Sequence, residues 1–201
     1  MDTSVRRATT ASCATVALPC WPRRAKLKEN IKRAWPWYLL AAALVAADQV
    51  VKLWVRSAMA LGETRPFIPH FIELYHLQNT GGAFSLLAGQ TWMLTALSAV
   101  ATVALVVCLW GDYVTTNVFS RLCVTCVLAG AAGNLIDRAM FGAVTDMFNF
   151  TFIRFGVFNV ADMWVVGGVI GYCAYLLFTQ FKGTKDSQTA DPGEDGHEAD
   201  P

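Results

Sequence analysis

Charge is scarce in this sequence: Lys, Arg, Asp and Glu make up 15% of 201 residues, against 55% hydrophobic residues. A soluble globular domain carries about a quarter charged residues, and a mean hydropathy of +0.40 describes a membrane chain instead. A basic face is lacking as well. Residues 1–33 hold eight Lys/Arg against two acids, residues 34–181 hold six against seven, and residues 182–201 hold two against six. The two ends are therefore oppositely charged polar tails, which excludes a nucleic-acid binder working through a basic surface. The apolar middle excludes long disorder outside the tails. Metal-binding patterns are missing too. Of the six cysteines, Cys108, Cys123, Cys126 and Cys173 lie inside apolar runs, where they read as small hydrophobes. Cys123 and Cys126 form a CxxC, but no second CxxC or HxxxH completes a site. Cys20 has the wrong surroundings for a lipoprotein processing site: Pro19 precedes it, residues 11–18 are a poor apolar core, and basic residues follow. No metal and no cofactor is expected.

What the sequence has instead is four apolar runs. A hydrocarbon core of about 30 Å needs about 20 apolar residues in a helix, and residues 35–55, 91–110, 118–136 and 161–181 meet that requirement. Trp35, Trp37, Tyr38 and Trp54 bracket the first run, and Trp92 and Trp110 bracket the second, as interfacial aromatic belts do. Arg6, Arg7, Arg23, Arg24, Lys26, Lys28, Lys32 and Arg33 precede the first run, and the positive-inside rule holds that end in the cytoplasm. Four spans return the C-terminus to the same side. Residues 58–90 and 137–160 then lie outside, and residues 111–117 form a short inner connection. The expected organisation is a basic cytoplasmic extension (1–34), a four-helix membrane domain (35–181) and an acidic cytoplasmic tail (182–201).

Burying a charge at the middle of a membrane helix costs about 2.5 to 3.5 kcal/mol on insertion scales, so the charges that remain in the spans carry information. Asp48 and Lys52 lie four apart in the outer half of the first span, on one helix face, as a neutralising pair. Gly130, Asn134, Asp137 and Arg138 share a face at the outer end of the third. Each of these charge pairs serves equally well as a packing device or as part of a site. Asp146, in the outer loop, and Asp162, opening the fourth span, differ: they are two carboxylates at one membrane face with Arg138 as the one evident basic partner. Two carboxyls within hydrogen-bond reach cannot both ionise cheaply and come to share a proton. One member can then activate a water while the other protonates a leaving amine, the arrangement of aspartic proteases.

Four blocks carry a resemblance. They are Asp48-Gln49-Val50-Val51-Lys52, Asn79-Thr80-Gly81-Gly82-Ala83-Phe84-Ser85, Gly130-Ala131-Ala132-Gly133-Asn134-Leu135-Ile136-Asp137-Arg138 and Phe158-Asn159-Val160-Ala161-Asp162. In order, spacing and membrane placement they resemble the lipoprotein signal peptidase family, signal peptidase II, over residues of about 37–180. The resemblance implies a bacterial plasma-membrane aspartic endopeptidase, working as a monomer at the extracytoplasmic face. Its substrate would be a diacylglyceryl-modified prolipoprotein, cut just before the lipidated cysteine with the acyl chains lying in membrane lipid. It implies a catalytic dyad of Asp146 and Asp162, and a surrounding pocket of Asn79, Gly130, Asn134, Asp137, Arg138, Asn159 and Ala161 supported by Asp48 and Lys52. Asn134, Asn159 and Arg138 suit donation to a peptide backbone or a carboxylate, and Asp137 is placed to lock its neighbour Arg138. Gly81 and Gly82 suit a tight turn in the outer loop. The implied fold is an all-α membrane core with a small extracytoplasmic β-sheet and a short outer helix drawn from the loop after Trp54. Period-two apolar segments at 67–74, 83–87 and 147–158 supply the strands.

Two rivals come from other classes. A proton-coupled transporter also buries acids beside a Lys, but its acids belong near the midplane between repeated halves. A membrane assembly factor would use small-residue faces such as Gly167, Gly168 and Gly171, yet leaves the paired acids without a task.

Overall fold

The computed structural model describes residues 24–81, 91–111, 113 and 117–188, with side chains described between 30 and 179. Its elements, in chain order, are α1 (Arg24–Ala58), β1 (Thr64–Ile68), β2 (Ile72–Asn79), α2 (Thr91–Gly111), α3 (Val118–Phe141), β3 (Val144–Phe150) and α4 (Val160–Gln188). Among the described residues four helices are long and apolar enough to cross a membrane, at Asn30–Ala58, Thr91–Gly111, Val118–Phe141 and Val160–Thr179. Lipid offers no partners to peptide groups, so each apolar run must close its own hydrogen bonds as a helix.

The helices run beyond the apolar limits expected of them. The first reaches from Arg24 to Ala58, the third continues to Phe141 and the fourth to Gln188, because lipid dictates where a helix must exist and leaves open where it stops. Capping residues decide the ends. Asn117 and Ser120 exchange side-chain-to-backbone bonds at the start of α3, and Gly142, at φ 70°, closes it by donating its N–H to Arg138 O at 3.0 Å. That stop lies shortly before Asp146, so the end of α3 sets where β3 begins. Among the described residues no separate short helix follows Trp54: residues 55–58 finish α1, and the chain then turns at Gly62, φ 83°, into β1.

The sheet is antiparallel with order β1-β2-β3. The single strand expected at 67–74 is a hairpin, broken at His70 with φ 62°. Between the pairs Leu74↔Phe148 and Leu77↔Asp146 the register slips, so Tyr75 and His76 oppose Met147 alone. This bulge adds twist beside Asp146 and frees the N–H groups of Met147 and Phe148 to reach Phe158 O at 3.0 and 2.8 Å. The strand expected at 83–87, Gly82, the first 23 residues and the tail from 189 onward lie outside the described residues.

The core sits around α3, the most buried of the four spans, which packs on α1, α2 and α4. Small residues permit the closest approaches. A Cβ on Gly130 would overlap Ala161 O of α4, one on Gly133 would lie 2.7 Å from Asp48 Oδ2 of α1, and one on Gly168 would lie 2.6 Å from Cys123 O.

Candidate active site

The C-terminal ends of α1 and α3 and the start of α4 meet the sheet around a cavity of about 900 Å³ whose lining includes Asn79, Gly81, Asn134, Arg138, Asp146 and Asp162. Asp146 belongs to β3, a strand and not a loop. Its carboxylate accepts from Asn79 Nδ2 at 3.0 Å and from Asn159 Nδ2 at 2.6 Å. Asn79 is itself oriented by the N–H of Gly81, which donates to its Oδ1 at 3.0 Å. Asp162 lies in the first turn of α4 and exchanges bonds with Asn159: Asn159 N donates to Asp162 Oδ2 at 3.1 Å, and Asp162 N donates to Asn159 Oδ1 at 2.9 Å. This is a capping box in which the carboxylate also faces the cavity. Asn159, fully buried, thus holds Asp162 with its backbone and Asp146 with its side chain.

Asn134 completes the ring. Its Nδ2 donates to Asp162 Oδ1 at 2.8 Å, and its Oδ1 accepts from Asn159 Nδ2 at 3.2 Å and from Lys52 Nζ at 3.0 Å. Behind it lies a buried charge cluster. Lys52 pairs with Asp48 at 2.9 Å and with Asp137 at 3.4 Å, and all three side chains are fully buried. Asp48 also accepts from Ala161 N at 2.8 Å, which ties α1 to the start of α4.

Asp137 does not lock Arg138. Neighbours on a helix point about 100° apart, so Asp137 faces α1 and β3 while Arg138 faces the cavity. Asp137 accepts from Thr145 N at 3.0 Å and from Gln49 Nε2 at 3.1 Å and pairs with Arg56 at 3.6 Å. Arg138 donates to Ser98 Oγ of α2 at 3.3 Å. Three participants escaped the sequence reading. Gln49 donates to Asp48 Oδ2, Gly133 O and Asp137 Oδ1, each at 3.1 Å. Arg56 donates to Thr145 Oγ1 at 3.0 Å, 4.5 Å over the Phe141 ring. Thr145, the residue before Asp146, accepts from Arg56 and donates its N–H to Asp137, which ties both to β3. Arg56 was within reach, since it falls four residues after Lys52 on the same helix face.

Burial decides the electrostatics of Asp146, which is 2% exposed. Desolvation pushes its carboxyl up from the ordinary aspartate range to about 7, and the charge of Asp162 adds to the rise. The bonds from Asn79 and Asn159 and the charge of Lys52 pull the other way without cancelling it. A carboxyl that holds its proton to neutrality can act as an acid or as a base at working pH. Apolar side chains, among them Phe150, Phe155, Phe158, Val165 and Val166, line the rest of the cavity, with Phe150, Phe155 and Phe158 in mutual ring contact.

Residues 40–178 match the family described as Signal peptidase (SPase) II. A lipoprotein signal peptidase of Enterococcus faecalis is 38% identical over 160 residues, spanning 80% of this chain and 94% of that protein. One from Streptococcus pyogenes serotype M6 is 39% identical over 127 residues, spanning 63% and 83%. Two solved bacterial membrane enzymes share the fold. One has a TM-score of 0.66 and 29% identity, covering 79% of this chain and 93% of that one; the other has 0.64 and 30%, covering 71% and 92%.

Proposed function

The chain belongs to the signal peptidase II family, and from that premise we propose that Asp146 and Asp162 are the catalytic pair of a peptidase that frees prolipoproteins of their signal peptides. The substrate is the diacylglyceryl-modified form, cut before the lipidated cysteine. One observation carries the reading: Asn159 holds both carboxyls at one cavity while burial keeps the proton of Asp146 to about pH 7. Two acids sharing one proton supply a base and an acid in a single site.

The ionised member takes a proton from a water, and the water oxygen bonds to the carbonyl carbon before the cysteine. The protonated member gives its proton to the carbonyl oxygen. On collapse the C–N bond breaks, the cysteine nitrogen leaves with a proton from the dyad, and a new carboxylate remains on the signal peptide. Asn79, Asn134 and Asn159 hold the two acids, and Arg138 presents a guanidinium to the same cavity. Acyl chains in lipid beside the helices supply remote binding energy that positions the scissile bond. The enzyme sits in the plasma membrane with both termini cytoplasmic, the cavity at the outer face, and acts as a monomer.

The test is cleavage of purified diacylglyceryl-prolipoprotein in detergent, with an unlipidated substrate as control. Wild type should cut only the lipidated form, and neither Asp146→Asn nor Asp162→Asn should cut it. Full activity in either variant removes the dyad assignment, and an inactive but folded wild type removes the peptidase reading.

A further inference from the structure

Lys52 touches neither acid, yet we propose that it is a positioning residue for the dyad: its ammonium holds the amide of Asn134 in the one orientation that presents a donor to Asp162. An asparagine amide has an acceptor end and a donor end that fill nearly the same space, so its neighbours must decide which end points where. Here Oδ1 accepts from Lys52 Nζ at 3.0 Å and Asn159 Nδ2 at 3.2 Å, and Nδ2 donates to Asp162 Oδ1 at 2.8 Å. Turned over, the amide would set its NH₂ against an ammonium and against a second NH₂, and its oxygen against a carboxyl oxygen.

One of those three neighbours can adapt, since a carboxyl can take up a proton and donate. Asn159 is held by Asp162 N, which donates to its Oδ1 at 2.9 Å and so keeps its NH₂ toward Asn134. An ammonium has donors only, so Lys52, at the shorter distance of 3.0 Å, and Asn159 together forbid the turned state. Lys52 is itself held, by Asp48 at 2.9 Å and Asp137 at 3.4 Å, with every partner fully buried. The stem of Lys52 thus carries a fixed donor from α1 across to α3, and Asn134 passes it on to α4.

The consequence lies in the proton of the pair. A donor held against one carboxyl favours charge there, and so decides which of the two acids carries the shared proton. The charged groups facing Asp162 are Asp146 from β3, Arg138 from α3 and, through Asn134, Lys52 from α1. Loss of the donor moves the acidic limb of the kcat profile to higher pH.

This inference rests on the peptidase reading above, and wild-type cleavage in the same assay tests that reading separately. Lys52→Gln, Asn134→Asp and the double variant are compared with wild type for kcat, KM and their pH dependence, with Tm as the measure of folding. Lys52→Gln removes the obligate donor. Asn134→Asp keeps acceptors for Lys52 and Asn159 and removes the donor to Asp162. Both should lower kcat about 10- to 100-fold with KM within about threefold, and raise the acidic limb by about one pH unit. The double variant should be no worse than the poorer single, because both break one chain of contacts. Lys52→Arg, again a donor only, should return the limb toward its wild-type position. A Lys52→Gln enzyme with lowered Tm but a wild-type profile overturns the proposal, as do losses that multiply in the double variant. Should Lys52→Gln fail to accumulate, Asn134→Asp decides alone, and an unmoved limb refutes the chain. An inactive wild type overturns the peptidase reading itself, a result distinct from an unchanged profile in an active enzyme.

Discussion

Replacing Asp146 with asparagine keeps the shape of the side chain and removes its titration, and the structure gives the stability change a sign that depends on pH. In the folded protein, burial carries this carboxyl from an ordinary value of 3.8 up to about 7. Between those limits the folded chain holds a proton that the unfolded chain has released, so wild-type stability falls as pH rises through the interval and levels off above it. At about 1.4 kcal/mol per pH unit, the interval amounts to about 4 kcal/mol. The amide of the Asp146→Asn variant carries no such dependence but has one acceptor oxygen where Asp146 has two, so either Asn79 Nδ2 or Asn159 Nδ2 is left facing an NH₂ group. Stranding a buried donor costs about 1–3 kcal/mol at any pH. Asp146→Asn should therefore be the less stable protein near pH 4 and the more stable one near pH 8, by about 1–3 kcal/mol, with the curves crossing between. Thermal unfolding in detergent across that range reads the difference directly. A gap between the two proteins that stays constant with pH, or that closes in the opposite direction, would refute protonation of Asp146 in the native site.

The other predictions probe the donors and the packing. Asp162→Asn should keep its place in the capping box, since an amide oxygen still accepts from Asn159 N, but its NH₂ then faces Asn134 Nδ2; it should lose cleavage by about 10²–10⁴-fold or more with a modest fall in Tm from the stranded donor. Cleavage within tenfold of wild type would exclude Asp162 from the chemistry. Asn79→Ala removes a bond that holds the Asp146 carboxyl down, so the limb of kcat/KM governed by that group should move to higher pH; an unmoved limb would assign it elsewhere. Gly130→Ala forces a Cβ onto Ala161 O and to 2.6 Å from Val165 Cγ2, whereas Gly167 has nothing within 4 Å. Gly130→Ala should cost about 1–3 kcal/mol and much of the activity, Gly167→Ala under about 0.5 kcal/mol, and equal Tm losses would contradict the packing of α3 on α4.

The membrane architecture was legible because lipid imposes it: a run of about 20 apolar residues has few alternatives to a helix, and four such runs became four spans. The pair of acids was legible from charge scarcity, since Asp146 and Asp162 exceed what Arg138 alone can neutralise. What escaped has local causes. Asp137 and Arg138 looked like partners because they are adjacent in the chain, but adjacency on a helix points side chains apart, and Asp137 turns to Lys52 and Arg56 instead. The turn at His70 and the bulge opposite Met147 interrupt the period-two pattern, so the strand boundaries at 67–74 and 147–158 were misplaced. No separate short helix is found among the described residues after Trp54, because α1 continues through Ala58 and the chain then enters β1 at Thr64. The three asparagines carry the least visible part: their spacing gives no hint that Asn159 would hold both acids or that Asn134 would join Lys52 to Asp162.

The two buried layers differ in charge balance. In the deeper one, Asp48 and Asp137 meet Lys52 and Arg56 at 2.9, 3.4 and 3.6 Å, so two negative charges face two positive ones and the group is neutral with every member ionised. A cluster paired in this way has no charge left over. At the cavity, two carboxyls face the single guanidinium of Arg138. That layer becomes neutral only when one proton is bound between Asp146 and Asp162. On the function proposed above, this difference in balance is what would leave one proton between the two acids. Adding a second cation there should release it: Val144→Lys, at a position that lines the cavity beside the dyad, should allow both acids to ionise and lose activity at neutral pH. Retained activity with an unshifted pH profile would show that Arg138 and the shared proton do not set the charge of the site.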